Sequence, residues 1–157
     1  MPAMIRIQRE DFDIAAEQAK LSHGRTEIGA LVAFTGVCRG GAEGVSALTL
    51  EYYPGMAEDE IARHVAEAER RWPLMGVTVI HRHGRLVPGD NIVLVLTAAA
   101  HRGDAFAAAE FLMDYLKTRA PFWKKEESAD QASWVDAKDT DDAAAERWRK
   151  ANRVAAE

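Results

Sequence analysis

An α+β fold is what this sequence predicts, and three observations carry the prediction. Apolar runs of strand length follow one another without an intervening helix, first 28–35 and 48–53, then 77–83 and 91–98. Two long stretches, 57–72 and 104–118, instead repeat their apolar residues at helical spacing. Turn signals, Pro54-Gly55 and Pro88-Gly89-Asp90, punctuate the runs. The order β-α-β-β-α-β-β-α-β-α has too few strand–helix–strand crossovers for a doubly wound sheet, so one α+β domain is expected.

Taken in order, Met4 to Gln8 alternates and reads as a short strand. Asp11 is placed to cap a helix through about Leu21, with Phe12, Ile14, Ala15 and Ala19 inward, and His23-Gly24 stops it. Ile28 to Thr35 is nearly continuous in apolar character, as a buried strand is. It runs into a glycine-rich loop, Gly36 to Gly44, which lacks the Gly-Lys-Ser/Thr ending of a P-loop. Leu48, Leu50 and Tyr52 alternate with polar neighbours in a half-buried strand. The helix from Ala57 to Trp72 turns Ile61, Val65, Ala68 and Trp72 inward and ends before Pro73, which cannot continue it. Val77 to His83 and Asn91 to Ala98 are strands, separated by Arg85-Leu86-Val87 and a turn. Asp104 to Thr118 makes about four helical turns, with Phe106, Ala109, Leu112, Met113 and Leu116 predicted inward. Glu126 to Asp130 reads as a polar loop, Ser133 to Ala137 as a short edge strand, and Asp141 to about Ala151 as a final helix.

The 157 residues, 48% hydrophobic and 29% charged, describe one ordinary globular domain, with a core over about 5–148 and a frayed tail at 151–157. No apolar run approaches the ~20 residues that span a bilayer, and no hydrophobic signal core opens the chain. One cysteine, Cys38, makes no internal disulfide, which suits a reducing cytoplasm. A net charge of −5 argues against general nucleic-acid binding.

Against that acidic background, residues 101–125 hold five Lys and Arg against three Asp and Glu, a local +2. His101 and Arg102 stand at a strand-to-helix junction, where unpaired amides already favour anions. Lys117, Lys124 and Lys125 stand at the far side of the helix, joined by a short aromatic segment able to fold back. Each of these residues singly is explained as a solvated or dipole-complementing charge. Together they predict a convergent site for an anionic ligand. His81 and His83 are two apart on a strand and share a face, but no third ligand stands at a telling spacing, so no metal site is predicted. Cys38 beside Arg39 has the makings of a lowered-pKa thiol, yet no cysteine-enzyme signature surrounds it.

Five segments carry a resemblance. They are Phe34-Thr35-Gly36-Val37-Cys38-Arg39, Leu50-Glu51-Tyr52-Tyr53-Pro54-Gly55-Met56, His81-Arg82-His83-Gly84, Ala100-His101-Arg102 and the long run Met113 to Glu126. Over about Ile5 to Trp148 the chain resembles the large, catalytic subunit of molybdopterin synthase. The resemblance implies an α/β hammerhead-type fold with a mixed, largely antiparallel sheet, and a homodimer of large subunits. Each would bind a small ubiquitin-like subunit, giving a heterotetramer. The implied reaction is sulfur transfer from a thiocarboxylate on the partner's C-terminal Gly-Gly tail to cyclic pyranopterin monophosphate, forming the dithiolene of molybdopterin. No cofactor or metal is implied for this step.

By the same resemblance, Lys117 and Lys124 are the expected catalytic residues. Arg39, His101 and Arg102 would hold phosphate and pterin, with Val37, Cys38, Lys125 and Glu126 in the same binding set and Phe34 and Met113 shaping the pocket wall. Near Lys138 the family pocket receives a basic residue, often arginine, from the neighbouring subunit; lysine keeps the charge and lacks the bidentate fork. Substrate and thiocarboxylate are both anionic, so cations must offset their repulsion. Lys117 as acid, base or electrostatic clamp stays open, as does a second reading in which the chain only docks a ubiquitin-like partner or an anion.

Overall fold

The computed structural model describes residues 3–41, 45–128, 132–134 and 139–156. Its elements run β1 (Met4–Gln8), α1 (Ile14–Ser22), β2 (Ala30–Val37), β3 (Ala47–Tyr52), α2 (Met56–Arg71) and β4 (Leu74–Arg82). They continue with β5 (Gly84–Leu86), β6 (Asn91–Ala99), α3 (Arg102–Thr118), β7 (Phe122–Glu127), β8 (Ala132–Trp134) and α4 (Asp139–Ala156). Two four-stranded sheets result, ordered β1-β4-β6-β2 and β5-β3-β7-β8. Only β1 with β4 is parallel among the described pairs, so the α+β, largely antiparallel expectation holds.

The cores follow from side-chain alternation. On β4, Val77 and Val79 point under α2 and α3, where Ile61, Val65, Ala68, Leu112 and Met113 close the main core. Ile80, on the other face, joins Leu94, Leu96 and Leu21 beneath α1. A third cluster, Cys38, Leu48, Leu50 and Leu86, fills the space on the inner face of the second sheet. No described helix is long and apolar enough to cross a membrane.

Several expectations are corrected. Asp13, not Asp11, caps α1, its Oδ1 accepting from the Ala16 amide at 3.0 Å. Asp11 instead accepts from Asn91 Nδ2 at 3.0 Å and so ties this loop to β6. Ala15 and Ala19 are exposed, and Glu17 and Leu21 are the buried residues of α1. Burial alone would raise the Glu17 pKa, but hydrogen bonds from Arg6 and Lys20 outweigh it and hold the carboxyl below its usual range. On α3, Phe106 is 61% exposed, whereas Phe111 and Tyr115 are buried because α2 and α4 cover a second side of the helix. The largest miss is β7: Phe122 to Glu127 is a strand between β3 and β8, not a fold-back leading into a polar loop. Its Lys-Lys-Glu-Glu sequence has low strand propensity, and pairing with β3 overrides it.

Candidate active site

The site is built at one end of α3. Lys117 lies in the last turn of that helix, and a link of only three residues, 119–121, leads from its end into β7. The link is tight. Arg119 N donates to Tyr115 O at 2.8 Å, Ala120 N to the same carbonyl at 3.3 Å, and Phe122 N to Ala120 O at 2.8 Å. In β7, alternation puts Phe122, Lys124 and Glu126 on one face and Trp123, Lys125 and Glu127 on the other. The first face is the inner one: Lys124 pairs in register with Leu50, Glu126 with Leu48, and both strand-mates belong to the Cys38 cluster.

Three groups of residues meet there. Lys124 Nζ lies 3.5 Å from Glu126 Oε1, and both charges are felt by the Cys38 thiol. Cys38 is 3% exposed, and its backbone is clamped by the Pro88–Asp90 turn, donating to Asp90 O and accepting from Gly89 N, each at 2.8 Å. Burial, with Asp90 and Glu126 adding to it, raises the thiol pKa, so Cys38 is a protonated thiol at neutral pH rather than a nucleophile. Arg39 follows on the exposed side. Phe122 stacks on His81 with ring centres 4.0 Å apart and planes 17° apart, and contacts Tyr52 at 6.1 Å; Tyr52 in turn meets His83 at 4.9 Å. This aromatic chain bridges the two sheets beside Lys117, whose charge reaches His81. Phe34, two residues after the core residue Val32, points to the α3 side of β2 and is 41% exposed, while Met113 is buried in the adjoining core.

Within one chain the expected convergence of all the cations does not occur. His101 is the N-cap of α3 and Arg102 its first residue, so fifteen residues separate Arg102 from Lys117, about 22 Å along the axis. Arg39 shares the Lys117 end, because β2 runs antiparallel to β6 and its last residue, Val37, pairs with Asn91 at the start of β6. Lys125 projects from the β7 face opposite to Lys124. Lys138 lies outside the described residues. His81, Phe122, Tyr52 and Asp90 were not singled out for this site. The signal for His81 was present in its two-residue spacing from Val77 and Val79, which places it on the core face.

Among the described residues, no three His, Cys, Asp or Glu side chains gather as a metal set. A separate cleft of about 290 Å³ lies between α2, α3 and α4, lined by His64, Arg71, Tyr115, Arg119 and Trp148 among others. It occupies the Phe111–Asp114–Tyr115–Thr118 stripe of α3, roughly 130° around the helix from Met113 and Lys117. Most of its charges are internally paired: Arg71 with Glu67, Arg149 with Glu146, and Asp114 with Arg147 and the Trp148 indole.

The family model described as MoaE protein matches residues 7–119. The chain belongs to the MoaE family. A curated MoaE relative from Mesorhizobium japonicum, a molybdopterin synthase catalytic subunit, is 61% identical over 150 residues, covering 94% of each chain. Among solved structures, a molybdopterin biosynthesis MoaE protein from Burkholderia ambifaria is 56% identical with a TM-score of 0.80, covering 93% of this chain and 97% of its own. A molybdopterin synthase from Staphylococcus aureus is 33% identical with a TM-score of 0.74, covering 82% of this chain and 94% of that one. MoaE membership makes this chain an enzyme subunit of molybdenum cofactor biosynthesis, as the five resembling segments imply.

Proposed function

We propose that this chain, with a small ubiquitin-like partner, converts cyclic pyranopterin monophosphate to molybdopterin by sulfur transfer. The observation that carries the reading is the placement of two amines at one end of the fold, Lys117 in the last turn of α3 and Lys124 on the inner face of β7, linked through Phe122, with Arg39 just beyond the end of β2. The partner's C-terminal thiocarboxylate supplies each sulfur. Its sulfur bonds to a substrate carbon, water then cleaves the acyl–sulfur bond, and the tail leaves as a carboxylate. A second round completes the dithiolene; of the two carbon–oxygen bonds that the sulfurs replace, one oxygen leaves as water and the other stays on the phosphate as its ring opens. Both reactants are anionic, so Lys117 and Lys124 offset charge as they approach, and an ammonium there is positioned to protonate the departing oxygen.

The same reading explains the separated cations. Two copies of the chain complete the site, the His101–Arg102 end of α3 from one copy meeting the Lys117 end of the other. The exposed apolar side chains of the edge strand β2, Phe34 and Val37, suit such a contact. The test is single-turnover conversion of cyclic pyranopterin monophosphate by this chain plus an authenticated thiocarboxylated partner. Molybdopterin from wild type is the expected result. A stable complex that makes none would favour a docking module instead.

A further inference from the structure

We infer that His81 is a positioning residue: its ring, stacked on Phe122, sets the α3–β7 junction so that Lys117 and Lys124 face the same side. This rests on the function proposed above and extends it to a side chain that touches neither substrate nor tail.

Four observations support the inference. First, His81 ends the row Val77, Val79, His81 on β4, the row that packs beneath α3, so the main core stops where Lys117 begins. Second, the residue is only 6% exposed and its backbone is paired on both edges of the strand, with Ile7 of β1 and Val93 of β6. Third, its Nδ1 lies 2.8 Å from the Arg82 carbonyl oxygen, which only accepts, so Nδ1 carries the proton and the ring orientation is fixed. Fourth, Phe122 is coupled to both amines: it is tied to the last turn of α3 by the three backbone bonds of the link, and it shares a β7 face with Lys124.

An aliphatic residue would fill the same volume without a flat surface to orient Phe122. A charged ring would repel Lys117. The ring avoids that: burial first, then the Lys117 charge and His83, push its pKa down to about 4, with the Arg82 carbonyl opposing, so it is neutral in the working range.

The experiment compares wild type, His81→Phe and His81→Leu in single-turnover conversion from pH 4 to 8, with melting temperature and partner binding recorded on each. A bifunctional amine reagent with a short spacer, followed by peptide mapping, reports in parallel whether Lys117 and Lys124 can be bridged. His81→Phe keeps a neutral ring and is expected within about threefold of the wild-type rate, without the acid limb near pH 4 expected of wild type. His81→Leu is expected to lose about tenfold in kcat with KM and partner binding unchanged, and to lose the Lys117–Lys124 bridge. A His81→Leu variant with wild-type kcat and an intact bridge overturns the inference. So does one whose kcat and KM change only in step with a lowered melting temperature. Wild type that forms the bridge but no product would sink the functional reading and leave the positioning role standing.

Discussion

The two ends of α3 are built differently. At its start, His101 and Arg102 are exposed and held by backbone alone, with no side-chain cap. At its end, Lys117 is followed by a three-residue link, a strand, and a chain of stacked rings that join both sheets. One end presents charge on a helix start with no side-chain cap, and the other sets Lys117, itself exposed, beside an aromatic frame. On the function proposed above, the difference teaches that the first end would serve binding at a contact with another molecule and the second would serve chemistry, where placement to a fraction of an ångström matters.

The sharpest way to break this comparison is to disable each end separately. Lys117→Ala should cut turnover by at least about 100-fold with the partner complex intact, as expected for loss of a group active in proton transfer. The double variant His101→Ala, Arg102→Ala should instead raise KM by about tenfold, the effect of losing charge-assisted contacts to an anion. With substrate held well below KM, mixing the two variants in equal amounts, with subunit exchange, should restore about a quarter of wild-type activity, since half the dimers then hold one intact site of two. Activity no greater than the average of the two variants would remove the shared site.

Stability offers the next tests. A Cβ at Gly29 would lie 2.1 Å from the Ala100 carbonyl oxygen, immediately before the His101 end. Gly29→Ala should therefore cost about 3 kcal/mol in denaturant unfolding, because backbone rather than a flexible side chain must move. At the other end, His81 has a folded pKa of about 4 against an ordinary 6.5. The unfolded chain takes up that proton first, so stability is complete above pH 6.5 and falls as the pH drops toward 4. The loss is on the order of 3 kcal/mol and should be absent in His81→Phe, as pH-dependent unfolding curves would show. The smallest expected effect is at Lys125. Facing away from Lys124 across β7, its replacement by Ala should change turnover by less than about threefold, whereas Lys124→Ala should cost about tenfold.

Much of this was legible in the residues. The α+β class followed from consecutive apolar runs, and Ile61, Val65 and Ala68 proved to be the buried stripe of α2 because an amphipathic helix has a single way to hide them. The Lys117 and Lys124 segment stood out by local charge. What failed had physical reasons. β7 is invisible in its own composition, since its stability comes from pairing with β3, some seventy residues earlier. Phe106 was placed inward because periodicity locates an apolar stripe but not how many neighbours cover the helix. Within one chain, His101 and Lys117 do not converge for a simpler reason: a 17-residue helix is a rigid rod, and its ends stay apart.

The short link between α3 and β7 also makes the chain sensitive to length at Arg119, Ala120 and Pro121. These residues have no slack, because their amides and carbonyls already close the helix end and open the strand. A single deleted residue that slides β7 by one position along β3 would exchange its two faces. Trp123 would then meet His81, Lys125 would take the place of Lys124, and the ion pair with Glu126 would turn outward. Composition and charge would be almost unchanged, and the frame that holds the amines would be lost.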